Sequence, residues 1–237
     1  MRQARIERWS RGDSSLHRRH AAAKILVAFA LLISIGTLTR YSAPACALYL
    51  ALLLAGAGVA RLPVGAVLWG ATVVLPFALC FAVVSALAGD PAKAVVFVVR
   101  AWLSAQVAIL LVATTPMPQL IAGLEALRLP RFLLQVMQFL YRYLTVLAQE
   151  AGAMIQAGSS RAGTLRTLRF REAAAIAGVL FARSYARAQA IHRAMVSRGF
   201  EGRLPAIPQA RFQLTDAVFG FGAVLLIIAV RGAFGWA

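Results

Sequence analysis

Long stretches of this chain carry almost no charge, and they constrain its fold more than any other feature. Residues 25–39, 41–60 and 62–89 contain no Asp, Glu, Lys or Arg, and only Arg100 interrupts the stretch 94–115. A helix that crosses a bilayer needs about 20 mostly apolar residues. The pattern therefore predicts an all-α integral membrane protein with about five transmembrane helices. The predicted spans are 21–39, 41–60, 64–88, 93–115 and 212–232.

Composition and charge also indicate a membrane location. Of the 237 residues, 61% are hydrophobic and only 14% are charged, whereas soluble domains carry about a quarter charged residues. With a cytoplasmic N-terminus, residues 1–24, Arg61 and 116–213 hold 7, 1 and 13 of the 25 Lys and Arg, as the positive-inside rule requires. This topology and an attraction to anionic lipid explain the net charge of +17. No aromatic-basic module accompanies it, so nucleic-acid binding is not indicated.

The chain divides into four parts by composition. We predict a basic cytoplasmic N-terminal arm at 1–20, a four-helix transmembrane block at 21–115, a cytoplasmic helical domain at 116–210 and a C-terminal transmembrane helix at 211–237. Pro76 lies inside the third apolar segment. It should kink that segment, because proline lacks the N–H that a helix interior requires.

Two long helices are predicted in the cytoplasmic domain. They run from Arg131 to about Ala157 and from Arg171 to Arg198, each roughly 40 Å long at about 1.5 Å per residue. Residues 132–147 are also apolar enough to suggest a further span. A central arginine such as Arg142 costs about 2.5–3.5 kcal/mol on insertion, and another span would reverse the sidedness of the basic segments. We therefore expect a helix along the cytoplasmic surface.

The familiar motifs for catalysis or metal binding are missing from the sequence. The sequence contains no Gly-x-x-x-x-Gly-Lys-Ser/Thr loop, no His-Glu-x-x-His and no Gly-x-Ser-x-Gly. His17 and His20 stand in the basic arm without a carboxylate partner, so we expect them to be solvated or to face lipid. Cys46 and Cys80 are expected to be small packing residues. The sequence thus predicts no catalytic residue, cofactor or metal site.

The predicted spans are equally poor in ionisable groups. None has an aspartate or glutamate at its centre, and Asp90 and Asp216 lie at predicted ends. Proton relays and ion pathways normally use such groups within the membrane, so a channel or ion-coupled carrier working alone is disfavoured. Arg100 is the exception. We expect it to snorkel to the outer interface or to pack on another helix.

Two short arginine motifs lie 37 residues apart, at Ser160-Arg161-Ala162 and Ser197-Arg198-Gly199. Each places one arginine beside small residues where a long helix should end. At about 100° per residue, Arg183, Arg187 and Arg198 share one narrow stripe. Such an arginine could simply end a helix well. It could also make bidentate bonds to carboxylates in a groove on a partner protein.

These residues resemble a known family. Arg183-Ser184-Tyr185-Ala186-Arg187-Ala188, followed by Ala194-Met195-Val196-Ser197-Arg198-Gly199-Phe200-Glu201-Gly202, is similar to the transmembrane (T) component of energy-coupling-factor transporters, nearest the cobalt- and nickel-type branch. The resemblance extends over the whole chain. In that family two arginine motifs end two crossed coupling helices, and each docks into one ATP-binding-cassette subunit. The second motif matches, whereas the first has Ala162 where Gly or Ser is usual.

The resemblance implies a non-catalytic, multi-pass subunit of the bacterial inner membrane. It would transmit the ATP-driven movement of two ATPase subunits to a substrate-capture membrane subunit. Arg161 and Arg198 would anchor the ATPases. The small neighbours that would allow close approach are Ser160, Ala162, Ser197 and Gly199. The apolar residues that would hold the capture subunit are Phe132, Leu133, Met137 and Leu140.

The implied cargo is Co²⁺, as needed for cobalamin biosynthesis, but nickel or a vitamin such as biotin stays open. Two other classes of protein stay open. A permease of a conventional ATP-driven importer also docks ATPases, although it usually presents one coupling helix per chain. A solitary membrane enzyme would need a convergent polar constellation within the spans, and none is visible in the sequence.

Overall fold

The computed structural model describes residues 12, 14, 16–37, 43–161, 170–202 and 213–234. Helices make up nearly all of this part of the chain, and no strand occurs within it. The helices are α1 (Ala21–Gly36), α2 (Ala43–Val59), α3 (Val64–Ala71), α4 (Leu75–Leu87), α5 (Pro91–Thr114), α6 (Met117–Ala126), α7 (Arg131–Arg161), α8 (Phe170–Val196) and α9 (Leu214–Phe234).

All five predicted membrane segments form apolar helices. Three are long and apolar enough to cross a bilayer: Val64–Leu87, Ala92–Thr114 and Leu214–Gly232, with mean hydropathies of 2.3, 2.2 and 1.9. The helices Ala21–Gly36 and Pro44–Val59 are apolar but shorter than a typical span. The prediction of an all-α membrane protein is confirmed, and the first two spans stay predictions in their full length.

The third apolar segment, where a kink at Pro76 is predicted, changes to a 3₁₀ turn just before this proline. A short 3₁₀ turn, Thr72–Val74, separates α3 from α4, and the proline lies in the first turn of α4. Thr72 Oγ1 donates to the carbonyl of Trp69 over 2.7 Å. Proline is tolerated at a helix start, where its missing N–H has no helical partner. The break therefore falls just before the proline.

The described residues form two compact units. One contains α1 to α6 and α9, and the other, within Leu129–Ala206, contains α7 and α8. The core of the first unit includes Ile35, Leu103 and the 1% exposed Tyr49. A hydrogen bond of 2.5 Å joins the Tyr49 hydroxyl to Ser34 Oγ, so this buried phenol has a partner, as buried hydroxyls usually require. The boundaries predicted for the four parts of the chain stay predictions.

The N-terminal turn is tied into the first unit by buried polar contacts. His17 and His20 are each 9% exposed, so the expectation that they are solvated or lipid-facing is wrong. A hydrogen bond of 2.6 Å joins His17 Nδ1 to Ser14 Oγ, and the backbone N–H of His20 donates to Asp216 Oδ1 over 3.2 Å. Lys24 Nζ donates to the carbonyls of His17 and Thr114. These bonds join the start of α1 to the C-terminal end of α5 and to the first turn of α9.

Arg100 packs against a neighbouring helix, one of the two outcomes expected for it. A Cβ placed on Gly36, the last residue of α1, would lie 4.0 Å from Arg100 Nη2. The Arg231 guanidinium donates to the Thr37 hydroxyl one residue further on. Two cations thus lie beside the C-terminal end of α1, where the helix dipole favours positive charge.

Candidate functional site: two arginine-tipped helices

The second arginine motif closes α8 in a Schellman turn. The Phe200 N–H donates to the Met195 carbonyl and the Gly199 N–H donates to the Val196 carbonyl, both over 3.0 Å. Gly199 has a φ of +80°, a conformation that glycine adopts without the clash a Cβ would introduce. The Ser197-Arg198-Gly199 sequence therefore sets where this helix ends, as predicted.

Arg198 is presented to the outside by this turn. Ser197, Arg198 and Gly199 are all exposed, and Ser197 Oγ donates back to the Ala194 carbonyl over 3.0 Å. The guanidinium is thus carried on a backbone whose own polar groups are already satisfied. It also lies at a helix C-terminus, where the dipole favours a cation.

The first arginine motif lies at the C-terminal end of α7, the other long helix of this unit. Helix α7 continues through Gly158 and ends at Arg161, four residues beyond the predicted end at about Ala157. The hydroxyls of Ser159 and Ser160 both donate to the Gln156 carbonyl one turn earlier, over 2.8 and 3.0 Å. Ser160 is exposed. Ala162, the third residue of this motif, lies outside the described residues.

Helices α7 and α8 enclose an apolar groove of about 380 Å³. Phe139 and Tyr143 stack along it with ring centroids 6.3 Å apart, and Met195 and Phe200 from the Schellman turn also line it. The hydrophobic contact that often accompanies this turn is thus present. The groove brings the closing turn of α8 against the first half of α7.

The four residues predicted to hold a substrate-capture subunit divide between two faces of α7. Phe132 lines the groove and is 72% exposed. At about 100° per residue, Leu133, Met137 and Leu140 fall on the next face, together with Leu144. Leu133, Leu140 and Leu144 are 48%, 60% and 51% exposed, and Met137 is half-buried. This second face is an apolar stripe open to the outside, and its contact with a partner stays a prediction.

An ion pair that the sequence reasoning missed joins the two helices. Arg187 Nη2 donates to Glu150 Oε1, and both side chains are partly buried. Near the start of α7, about four turns from this pair, Gln135 Nε2 donates to the Gly202 carbonyl over 3.1 Å. One signal in the sequence could have identified the pair, because Glu150 is the only acidic residue between Arg131 and Arg161.

No metal-binding cluster lies among the residues that the structure describes, taking three or more His, Cys, Asp or Glu side chains as the criterion. The described part of the site consists instead of one exposed cation, Arg198, at a helix end, together with an apolar groove and an apolar stripe. Such an arrangement suits protein–protein contact.

Comparison with known proteins identifies relatives over most of the chain. Residues 12–208 match the model of the family described as cobalt transport protein, CbiQ. The cobalt transport protein CbiQ of Rhodobacter capsulatus is 33% identical over 153 residues, which are 62% of this chain and 61% of that protein. An uncharacterised protein of Methanocaldococcus jannaschii is 30% identical over 120 residues, 48% of this chain and 44% of that protein.

A third relative carries a different metal in its name. The nickel permease LarQ of Lactiplantibacillus plantarum is 34% identical over 89 residues, 38% of this chain and 33% of that protein. The chain therefore spans less than two thirds of the length of each of these relatives.

Proposed function

This chain belongs to the cobalt transport protein family, and from that premise we propose that it is the transmembrane coupling subunit of an ATP-driven importer of the energy-coupling-factor type. It would be a scaffold without chemistry of its own. The 237 residues contain no phosphate-binding Gly-x-x-x-x-Gly-Lys-Ser/Thr loop, so ATP hydrolysis is assigned to two partner ATPase subunits.

The observation that carries this proposal is the exposed Arg198 at the closing turn of α8. The backbone that carries Arg198 is already hydrogen-bonded, so binding has to order the arginine side chain but not the turn beneath it. The planar guanidinium can bond a carboxylate through two parallel N–H groups, which lysine cannot do. We assign Arg198 to a carboxylate-lined groove of one ATPase and Arg161 to the same groove of the other.

The small residues beside the two arginines have a steric part in this docking. Ser160 and Ala162 in the first motif, and Ser197 and Gly199 in the second, would let the partner surface approach the helix ends closely. Movement of the ATPases on binding and hydrolysing ATP would then turn α7 and α8. A substrate-capture membrane subunit would respond through the apolar residues Phe132, Leu133, Met137 and Leu140.

The cargo we propose is Co²⁺. The family description and the relative from R. capsulatus both carry cobalt in their names. Nickel is the second candidate, because LarQ is named a nickel permease. In either case the capture subunit would bind the ion. The protein would lie in a bacterial inner membrane with its N-terminus and its basic segments on the cytoplasmic side, beside anionic lipid headgroups.

Charge reversal at the two motifs tests the docking. We expect Arg198→Glu and Arg161→Glu each to reduce the ATPase subunits that co-purify with the tagged chain, and the double variant to remove them and abolish Co²⁺ uptake. Arg183→Glu is the matched control, because Arg183 is also exposed on α8 but lies away from the helix tip. Membrane insertion of each variant is checked by fractionation. A double variant that keeps its ATPases and transports normally would refute the proposal.

A further inference from the structure

We propose that the Glu150–Arg187 ion pair is the link through which the two arginine-tipped helices move as one body. This inference rests on the proposed function and deepens it, because it names the residues that carry movement between the two docking points. It starts from one contact, in which Arg187 Nη2 of α8 donates to Glu150 Oε1 of α7.

The position of this pair relative to the two motifs is symmetric. Glu150 precedes Arg161 by 11 residues, and Arg187 precedes Arg198 by 11 residues. At about 1.5 Å per residue, each docking arginine lies roughly 16 Å along its helix from the pair. The segment from Glu150 to Arg161 is helical throughout, and the other is helical up to the closing turn after Val196. Both segments are therefore stiff enough to act as levers.

The two levers point away from the pair in opposed directions. Gln135, near the start of α7, bonds Gly202 beyond the end of α8, whereas Glu150, in the second half of α7, pairs with Arg187. Rising numbers on α7 thus meet falling numbers on α8, so the helices run antiparallel through this contact. Two equal and opposed arms about one link suit two similar ATPase subunits that approach from either side.

The chemistry of the pair suits a contact that has to persist during movement. Glu150 and Arg187 side chains are 24% and 37% exposed, so water screens the attraction only in part. Within the described residues, Glu150 Oε2 and Arg187 Nη1 are buried and have no hydrogen-bond partner. A guanidinium can donate through two nitrogens to both oxygens of one carboxylate, and a small shift of the helices would bring Arg187 Nη1 and Glu150 Oε2 together. A small shift would therefore add a second hydrogen bond between the two side chains, and the pair would stay joined while the helices move together.

Apolar packing alone would not give the same link. The groove between the helices is open, and the aromatic residues that α7 contributes to it, Phe132, Phe139 and Tyr143, all precede Glu150, whereas Arg187 borders it on α8. Removing only Glu150 or only Arg187 leaves the other charge half-buried without a partner. This weakens the contact between the helices more than replacing both residues with apolar ones would.

The test separates docking from transmission in the complete transporter. We expect Glu150→Gln and Arg187→Gln each to lower Co²⁺ uptake at least tenfold while the ATPase subunits still co-purify and hydrolyse ATP. The swapped variant, Glu150→Arg with Arg187→Glu, is expected to restore at least a third of the uptake. Arg187→Lys keeps the charge and should retain more uptake than Arg187→Gln, which provides a second reading if the swap inserts poorly. Arg183→Gln, one turn earlier on the same helix, is the control and should transport normally.

Each outcome bears on the inference. Wild-type uptake in both single variants would overturn it, and so would loss of the ATPases from those variants, because the pair would then act in docking or folding. Equal uptake in Arg187→Lys and Arg187→Gln, or a well-inserted swap that restores nothing, would also overturn it. If the wild-type chain itself retains no ATPase, the proposed function fails first, and the co-purification measured on the unmutated chain identifies that case.

Discussion

Replacing Gly123 with alanine is expected to strain the contact between α6 and α1. A Cβ at Gly123 would lie 2.9 Å from Ala21 Cβ and 3.0 Å from both the carbonyl carbon of Ala21 and the backbone nitrogen of Ala22. Carbon atoms in ordinary contact lie about 3.5–4.0 Å apart. Two of the three neighbouring atoms are backbone, so no rotation of a side chain can relieve the overlap. One helix has to move by roughly half an ångström or more.

The free-energy cost of this strain can be isolated by comparison with a second glycine that has room for a methyl group. Inserting a methyl group into a closely packed contact typically costs about 1–3 kcal/mol. Alanine also gains about 0.5–1 kcal/mol over glycine within a helix, and this gain would mask part of the cost. Gly222 lies inside α9 of the same unit, and a Cβ there would meet nothing within 4 Å. The difference between Gly123→Ala and Gly222→Ala therefore cancels the helical gain and leaves the strain.

Thermal unfolding of the purified chain in detergent measures this difference. About 1 kcal/mol corresponds to a shift of about 2–4 °C in Tm for a protein of this size. We expect Gly123→Ala to unfold roughly 2–12 °C below Gly222→Ala, with both variants inserted in membranes at similar levels. Equal Tm values for the two variants would refute the close approach of α6 to the start of α1.

Two further predictions use the same assays. Gly199→Ala forces a side chain into a φ of +80°, at a cost of about 1–2 kcal/mol, and should reduce ATPase co-purification; retention equal to that of the wild-type chain would contradict the role of the turn. Asp216→Ala removes a 7% exposed carboxylate that accepts the backbone N–H of His20, and it should destabilise the chain by about 1–3 kcal/mol. Asp90→Ala breaks an exposed pair with Lys93 and should cost less than about 1 kcal/mol, so equal losses at the two aspartates would be evidence against the buried N-terminal contact.

The sequence predicted well what depends on local patterns. Uncharged stretches of membrane length predicted the apolar helices, because a backbone buried in lipid must make its hydrogen bonds within the protein and a helix does so. The Arg198-Gly199 pair predicted the end of α8, since a glycine with positive φ ends helices through its own local geometry. The break at Pro76 likewise needed no knowledge of distant residues.

What the sequence reasoning missed depends on partners far apart in the chain. His20 is buried at a contact with a distant residue, because the carboxylate of Asp216, 196 residues away, accepts the backbone N–H of His20. The contact between Glu150 and Arg187 joins residues on two different helices, and periodicity along either helix does not reveal it. The end of α7 was placed too early because Gly158, a residue type that often ends a helix, lies inside this one.

The count of subunits in the purified transporter tests the central claim most directly. Native mass spectrometry of the complex, extracted through a tag on this chain, gives the number of copies of each protein. We predict one copy of this chain with two ATPase subunits, because one chain presents both arginine-tipped helices. Two copies of this chain with two ATPases, as in a conventional importer, or a chain that binds no ATPase at all, would contradict the account.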